Sequence, residues 1–443
     1  MVIDSFHDAK RQNSKCRTTG RWPREAIMKL RRTMLLVATF VASTILFCAA
    51  AAQSEKLIIA GRDGGYAEAL KMAVDMYKAE NPGLEVEQLE LPYGGLLEKA
   101  TISLREKAGA YDVMMLDDTW AVEFMSKGWL ADLDKLGGGV DEDFVKPARD
   151  VSRYPVGTGP YYAVPFVGNV ELFAYRKDLL EKYGFGQPAS WKDVVAAAKA
   201  VSEKESGVSG VVFRGTKGNP IVTGFLPILW AHGARIVGED GQAQLDSDAA
   251  LEALNLYLSL KPYAPKGVET YNSSEVRDAL MQGTTAMAIE LWPSWAPSLD
   301  DPAKSKVPGK IEIMAAPGQV QKSSPMLGSW LLGVPSDAKN PKRGRDFIDF
   351  LTSPALQKKL ALELGTPPTR ASVYKDADVV SKYRWYPAQV IALQNAQPRP
   401  RITQWSQVEA ILGDYLQLAL IGDLEPKKAL MEANQKISRA LQR

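Results

Sequence analysis

Tyr-Asp-Val-Met-Met-Leu-Asp-Asp-Thr-Trp, residues 111–120, is the stretch from which the fold is read. Val113 to Leu116 form an unbroken apolar run of strand length, which fits a strand covered on both faces in a parallel sheet, and by its shortness also fits a helix. Asp117 and Asp118 follow it directly, and Trp120 stands at the start of the next helix. In open α/β sheets a ligand sits in the crevice beyond the carboxyl ends of the strands. Hydroxyl acceptors beside a flat apolar plate at that place suit a sugar or polyol. The same residues also fit a helix cap at Asp117 or Asp118 and a core indole at Trp120, so both uses stay open here.

The first fifty residues read differently from the rest. Met28-Lys29-Leu30-Arg31-Arg32 is a positive segment, Met34 to Phe47 an apolar run too short to span a bilayer, and Ala50-Ala51-Ala52 a cleavage signal. Residues 1–52 are therefore expected to be an N-terminal extension and a signal peptide (about 28–52), with translation starting at Met1 or Met28. Nine of the 54 basic and three of the 52 acidic residues lie there, which leaves 45 against 49 and a net charge of about −4. That balance argues against a nucleic-acid partner. Cys16 and Cys48 leave with the same segment, and so does His7. The remaining chain then has no thiol chemistry, no multi-histidine metal site, and only His232 as a possible triad base. Neither a cofactor nor a catalytic residue is expected.

Further on, Lys56–Ala60, Glu85–Leu91 and the Tyr111 strand alternate with helices over 67–80 and 96–108. That β-α-β-α-β order opens a doubly wound lobe. The turn Gly61-Arg62-Asp63-Gly64-Gly65-Tyr66 lacks the lysine of a phosphate-binding loop, so a nucleotide site is not expected. Tyr161 to Asn169 reads as a crossing into a strand over 170–175. Gly210–Arg214, Ala286–Glu290, Ile311–Met314 and Gly328–Pro335 read as further strands. Ser190 reads as an N-cap, and Pro426 as the first residue of the last helix.

In this order the segments resemble extracellular solute-binding protein family 1, the sugar-binding receptors of ABC importers. The resemblance rests on Tyr111-Asp112-Val113 through Trp129-Leu130, on Ala163-Val164-Pro165 with Tyr175-Arg176-Lys177-Asp178-Leu179, and on Ala286-Met287 leading to Trp292. Pro335 to Ala338, Asn340-Pro341 leading to Phe350-Leu351-Thr352-Ser353-Pro354, and Pro368-Thr369-Arg370 with Ser372-Val373 complete it. It implies an α/β, two-lobed periplasmic-binding-protein fold of type II-like architecture, each lobe a doubly wound sheet with flanking helices. Two or three crossings would form the hinge. Residues 54–165 plus 326–368 would make the N-terminal lobe, and 169–325 plus 369–443 the C-terminal lobe. A monomeric periplasmic protein is implied, delivering a sugar or polyol to inner-membrane ABC permease subunits.

The resemblance places Asp117, Asp118 and Trp120 in the cleft, with Tyr66 on the turn after the first strand and Asn169 at the hinge. Trp292 and Trp330 become aromatic plates, and Arg370 a residue turned to the ligand. Trp230 and Trp295 fit either core or ligand wall, while Trp129 and Trp191 read as core. Glu290 ends a strand and is a further candidate contact. Two alternatives stand beside the sugar receptor. One is a receptor for a charged solute, glycerol phosphate or a polyamine, marked by basic or acidic residues converging on the cleft. The other is a secreted carbohydrate-active hydrolase in which Asp118 and Glu290 face each other across it.

Overall fold

The computed structural model describes residues 56–323 and 325–442. The expected signal peptide, both cysteines and His7 lie outside the described residues. Eight strands form two sheets: β1 Lys56–Arg62, β2 Glu85–Leu91, β3 Val113–Asp117, β4 Ala163–Val167, β5 Leu172–Arg176, β6 Met287–Leu291, β7 Ile311–Ala315 and β8 Trp330–Gly333. The first sheet has the order β2-β1-β3-β8-β4, the second β6-β5-β7.

In the first sheet, β1 pairs in parallel with β2 and β3. The helices Gly65–Glu80 and Tyr93–Glu106 supply the crossovers that parallel pairing needs. β8 enters late in the chain, antiparallel between β3 and β4. Every residue of β3, β4 and β8 is buried, as strands covered on both faces require. β4 was expected to be part of a crossing, because it carries Pro165. It is instead an edge strand, where a missing N–H is tolerated, and its register slips between Pro165 and Val167.

The second sheet is antiparallel about β5. Gly210–Arg214, expected as a strand, runs parallel to β6 through bridges at Ser209 and Val212 alone. Its Gly210 and Val211 N–H groups donate to the Tyr263 carbonyl instead, which ends the ladder. Helices Trp191–Lys204, Asn219–Ala231, Asp248–Ser259, Trp405–Ile421 and Pro426–Leu441 cover this sheet around one core that includes Phe173, Trp191, Phe225 and Tyr257. Ser190 and Asp193 close a capping box on the first of these helices. Among the described residues no helix is long and apolar enough to cross a membrane.

Three crossings join the sheets, and they bond to one another. The Glu171 N–H donates to Met326 O at 2.9 Å and the Gly328 N–H to Asn169 O at 3.1 Å, pairing the links β4–β5 and β7–β8. The third crossing leads to the helix at Trp405, and its Gln397 exchanges bonds with Pro325 and Leu327 at 2.8 and 2.9 Å. Residues 373–394 touch both sides: Asp378 pairs with Lys358 at 2.8 Å, while Arg384 reaches Asp300 at 2.8 Å and Glu312 at 3.2 Å.

Gly168 marks the tightest point of this ribbon. Its N–H donates to Pro367 O at 2.9 Å, and a Cβ there would lie 2.0 Å from Pro368 O. Gly168→Ala should therefore push two crossing backbones apart and lower the unfolding free energy by about 1–3 kcal/mol. Gly186→Ala, whose Cβ would meet nothing within 4 Å, should stay within about 0.5 kcal/mol of wild type. Urea unfolding of the two variants checks the difference, and equal stabilities would show that the ribbon has slack.

Candidate functional site

A cavity of about 440 Å³ opens between the two sheets, beyond the carboxyl ends of β1, β3 and β6, and is lined from both sides. From the first sheet come the β1–helix turn 62–66, Tyr93, Asp117 and Trp330. From the second come Arg214, Thr223, Trp292, Ser294 and Trp295, with Asn219, Ser273 and Arg277 at the rim. Asn169 and Arg399 enter from the crossings.

Six of the sequence candidates line the cavity: Tyr66, Asp117, Asn169, Trp292, Trp295 and Trp330. The Asn169 Nδ2–H donates to the Tyr66 hydroxyl at 2.8 Å, and Ser294 lines the cavity from the opposite side. Asn169 Oδ1 has no partner in the protein. Trp292 lies under the Arg214 guanidinium, 5.6 Å from ring centre to Cζ, and its other edge packs on Gly328, where a Cβ would come within 2.5 Å of the indole.

Five candidates do not line the cavity. Trp120 is 3% exposed and packs behind Tyr93 and Trp330, with centroids at 4.8 and 5.6 Å. It is the back of the aromatic wall, because the helix start turns it inward. Trp230 is buried in the helical core of the second sheet. Glu290 is wholly buried: one oxygen accepts the Arg214 N–H and the other pairs with its guanidinium, both at 2.8 Å. Gly224, in a facing helix, leaves space for that carboxyl. Arg370 bonds Thr352 O at 2.6 Å, pairs with Asp141 at 2.8 Å and lies over Phe144, away from the cavity. His232 bonds the Ile228 carbonyl at the end of its helix.

Asp118 belongs to a buried ionic cluster. Arg399 Nη2 donates to Asp117 and to Asp118, each at 2.7 Å, and Arg401 donates to the other Asp118 oxygen at 2.9 Å. Asp117 also caps its helix through the Thr119 N–H at 3.1 Å and accepts from the Tyr93 hydroxyl at 3.2 Å. Glu409, on the helix Trp405–Ile421, closes the cluster at 3.9 Å from Arg399. Two guanidiniums neutralise only two of the three carboxylates. Burial raises Asp117, but Arg399 and Thr119 outweigh it and hold that group below its ordinary value. Burial pushes Asp118 up to about 6, with the Asp117 charge adding and both arginines opposing.

The lining residues that the sequence reading missed include four arginines, Arg62, Arg214, Arg277 and Arg399, beside Tyr93 and polar groups such as Asn219, Thr223 and Ser294. Each arginine has a carboxylate partner, Asp63 at 3.0 Å, Glu290 at 2.8 Å, Asp278 at 3.2 Å and the Asp117–Asp118 pair at 2.7 Å. A second buried carboxyl, Glu171, lies near Glu290 and Arg214. Burial, with the Glu290 charge adding and Arg214 and Arg399 opposing, raises it well above its ordinary value.

The raised Asp118 has a consequence for stability. The unfolded chain takes up this proton near 3.8 and the fold near 6, so between the two the fold holds it more tightly. The contribution is full below about 4 and is lost as pH rises to about 6. Relative to Asp118→Asn, wild type should lose on the order of 3 kcal/mol of stability as pH rises through that window. Urea unfolding at several pH values checks this, and wild type gaining on the variant as pH rises would contradict it.

The comparisons with known proteins agree with this geometry. The family of bacterial extracellular solute-binding proteins matches residues 63–358. A probable ABC transporter-binding protein of Deinococcus radiodurans is 30% identical over 334 residues, 74% of this chain and 78% of that one. The solved structure of an ABC transporter solute-binding protein from Agrobacterium radiobacter K84 in complex with ribitol superposes with a TM-score of 0.79. It is 26% identical and covers 88% of this chain and 99% of its own. A maltose-bound protein of T. maritima gives the same TM-score of 0.79 at 27% identity, over 86% of this chain and 98% of its own. With two lobes and a cavity between their sheets, this chain belongs to the bacterial extracellular solute-binding protein family.

Proposed function

We propose that this protein captures a neutral sugar or polyol between its lobes and delivers it, unchanged, to the permease of an ABC importer. It acts from the periplasm as a monomer. The observation that carries the reading is the charge state of the cavity wall. Four arginines reach the cavity, which at first favours a phosphate ester, yet every one is matched by a carboxylate within 3.2 Å. Such a wall presents many N–H donors with no net positive charge. Hydroxyl groups, which accept and donate without charge, suit it better than phosphate. A polyamine finds no free carboxylate, since Asp117 already serves Arg399, Thr119 and Tyr93.

Aromatic rings supply the complementary half. Trp292 and Trp295 line the second-sheet wall and give C–H faces something apolar to pack on, while Tyr66, Tyr93 and Trp330 line the first. The ribitol-bound and maltose-bound relatives support the class of ligand. Hydrolysis is disfavoured, because Asp118 and Glu290 are both buried in ion pairs and neither lines the cavity. A glycosidase needs two carboxyls flanking the scissile bond.

The lobes are the two sheets with their covering helices, and they close about the three crossings, with 373–394 spanning the two. Ligand touching both walls would favour the closed form, and only such differential contact shifts the equilibrium.

Thermal unfolding against sugars, polyols, phosphate esters and polyamines tests the reading. A ligand at a hundred times its dissociation constant adds roughly 2.7 kcal/mol, raising Tm by a few degrees. With that ligand, Trp292→Ala and Asn169→Ala should each lower affinity at least about tenfold. A shift with phosphate esters or polyamines alone would overturn the neutral assignment.

A further inference from the structure

The first-sheet wall of the cavity holds an aromatic enclosure, and the chain fills it with a side chain of its own. The Arg62 guanidinium carbon lies 5.6 Å from the ring centre of Tyr93, 5.6 Å from that of Trp330 and 6.0 Å from that of Tyr66. These rings contact one another: Tyr66–Trp330 at 5.6 Å, Tyr93–Trp330 at 6.0 Å with near-perpendicular planes, and Trp120 behind both. Trp330 is 5% exposed. The guanidinium is held on its open side by one contact, Asp63 at 3.0 Å, whose carboxylate is half-exposed, and its Nε has no partner.

A sugar ring binds an indole by covering its face. Here that face is taken by a planar cation, an arrangement that is favourable in itself. On the second-sheet wall Arg214 also lies 5.6 Å from the Trp292 ring centre, but there one guanidinium meets one ring rather than three, and Trp292 and Trp295 remain partly exposed. Resting on the carbohydrate reading above, we infer that Arg62 determines ligand size. By occupying the enclosure of Tyr66, Tyr93 and Trp330, it denies a second sugar ring its stacking surface. The cavity is left to a single ring or an acyclic polyol lying against Trp292, with the guanidinium edge as a hydrogen-bond donor. The enclosure also explains how the site rejects cationic solutes: the place that a cation would take already holds one.

The test is calorimetric titration of wild type, Arg62→Ala and Arg62→Lys with ribitol, D-mannitol, maltose and tetramethylammonium chloride. Wild type should bind a single-unit probe and prefer it to maltose. Emptying the enclosure in Arg62→Ala should strengthen both maltose and tetramethylammonium binding at least about tenfold over wild type. Arg62→Lys, with an ammonium still in place, should gain neither. Where the alanine variant does not melt cooperatively, Arg62→Gln takes its place, shorter and uncharged, with the same gains expected. Wild type binding maltose as tightly as ribitol or mannitol, or a folded variant that gains neither probe, overturns the role of Arg62. Tetramethylammonium binding gained by the variant while wild type ignores every sugar and polyol upholds the enclosure. It would overturn the carbohydrate reading instead.

Discussion

The cleft depends on an ionic cluster that contains Arg399. Its guanidinium is 2% exposed, and it is held by Asp117 and Asp118 at the end of β3 and approached by Glu409 on the helix over the second sheet. Burying a charge so deeply is tolerable only when opposite charge and hydrogen bonds surround it. The two carboxylates of β3 and the two arginines of the third crossing therefore hold each other in place. Because the other two crossings are bonded to the third through Met326, Leu327 and Gln397, fixing one fixes the ribbon. The cavity floor inherits that position, with Asn169 from one crossing and Arg399 from another.

The same cluster separates what could be read along the chain from what could not. β3 was legible because four consecutive apolar residues before two aspartates have few other uses. β8 was legible from its apolar run between Gly328 and Pro335, whereas Trp292 and Asn169 were placed at the cavity by the family resemblance, and both line it. Asp118 was misplaced because its partners stand 281 and 283 residues away. No local pattern distinguishes a carboxylate that meets ligand from one that meets a distant arginine. Glu290 failed for the same reason, its partner Arg214 lying 76 residues upstream. Trp120 was a matter of direction: the helix start places it at the right end of the strand but turns its ring behind Tyr93 and Trp330. The arginines of the wall left one signal that could have been used. Arg62 follows β1 directly, so the rule that put ligand beyond the strand ends applied to it as well as to Asp117.

On the proposed reading, the selectivity of the cavity wall comes from its neutralised arginines. A guanidinium offers five N–H donors in a rigid fork, more than one carboxylate can satisfy. Pairing therefore cancels the charge and leaves donors over, and the spare donors favour hydroxyl oxygens. A phosphate brought to the same wall would have to compete with Asp63, Glu290, Asp278 or Asp117 for its partner, setting like charge beside like. Discrimination then rests on the cost of leaving buried polar groups unpaired, which exceeds the gain from making any one such bond. For such a wall to discriminate, its side chains must be fixed before the ligand arrives. The bond from Asn169 to Tyr66, the cation over Trp292 and the ring enclosure around Arg62 each fix part of it. With each wall preformed, the proposed closure would be the remaining adjustment, bringing the two halves of the hydrogen-bonding pattern onto the same ligand.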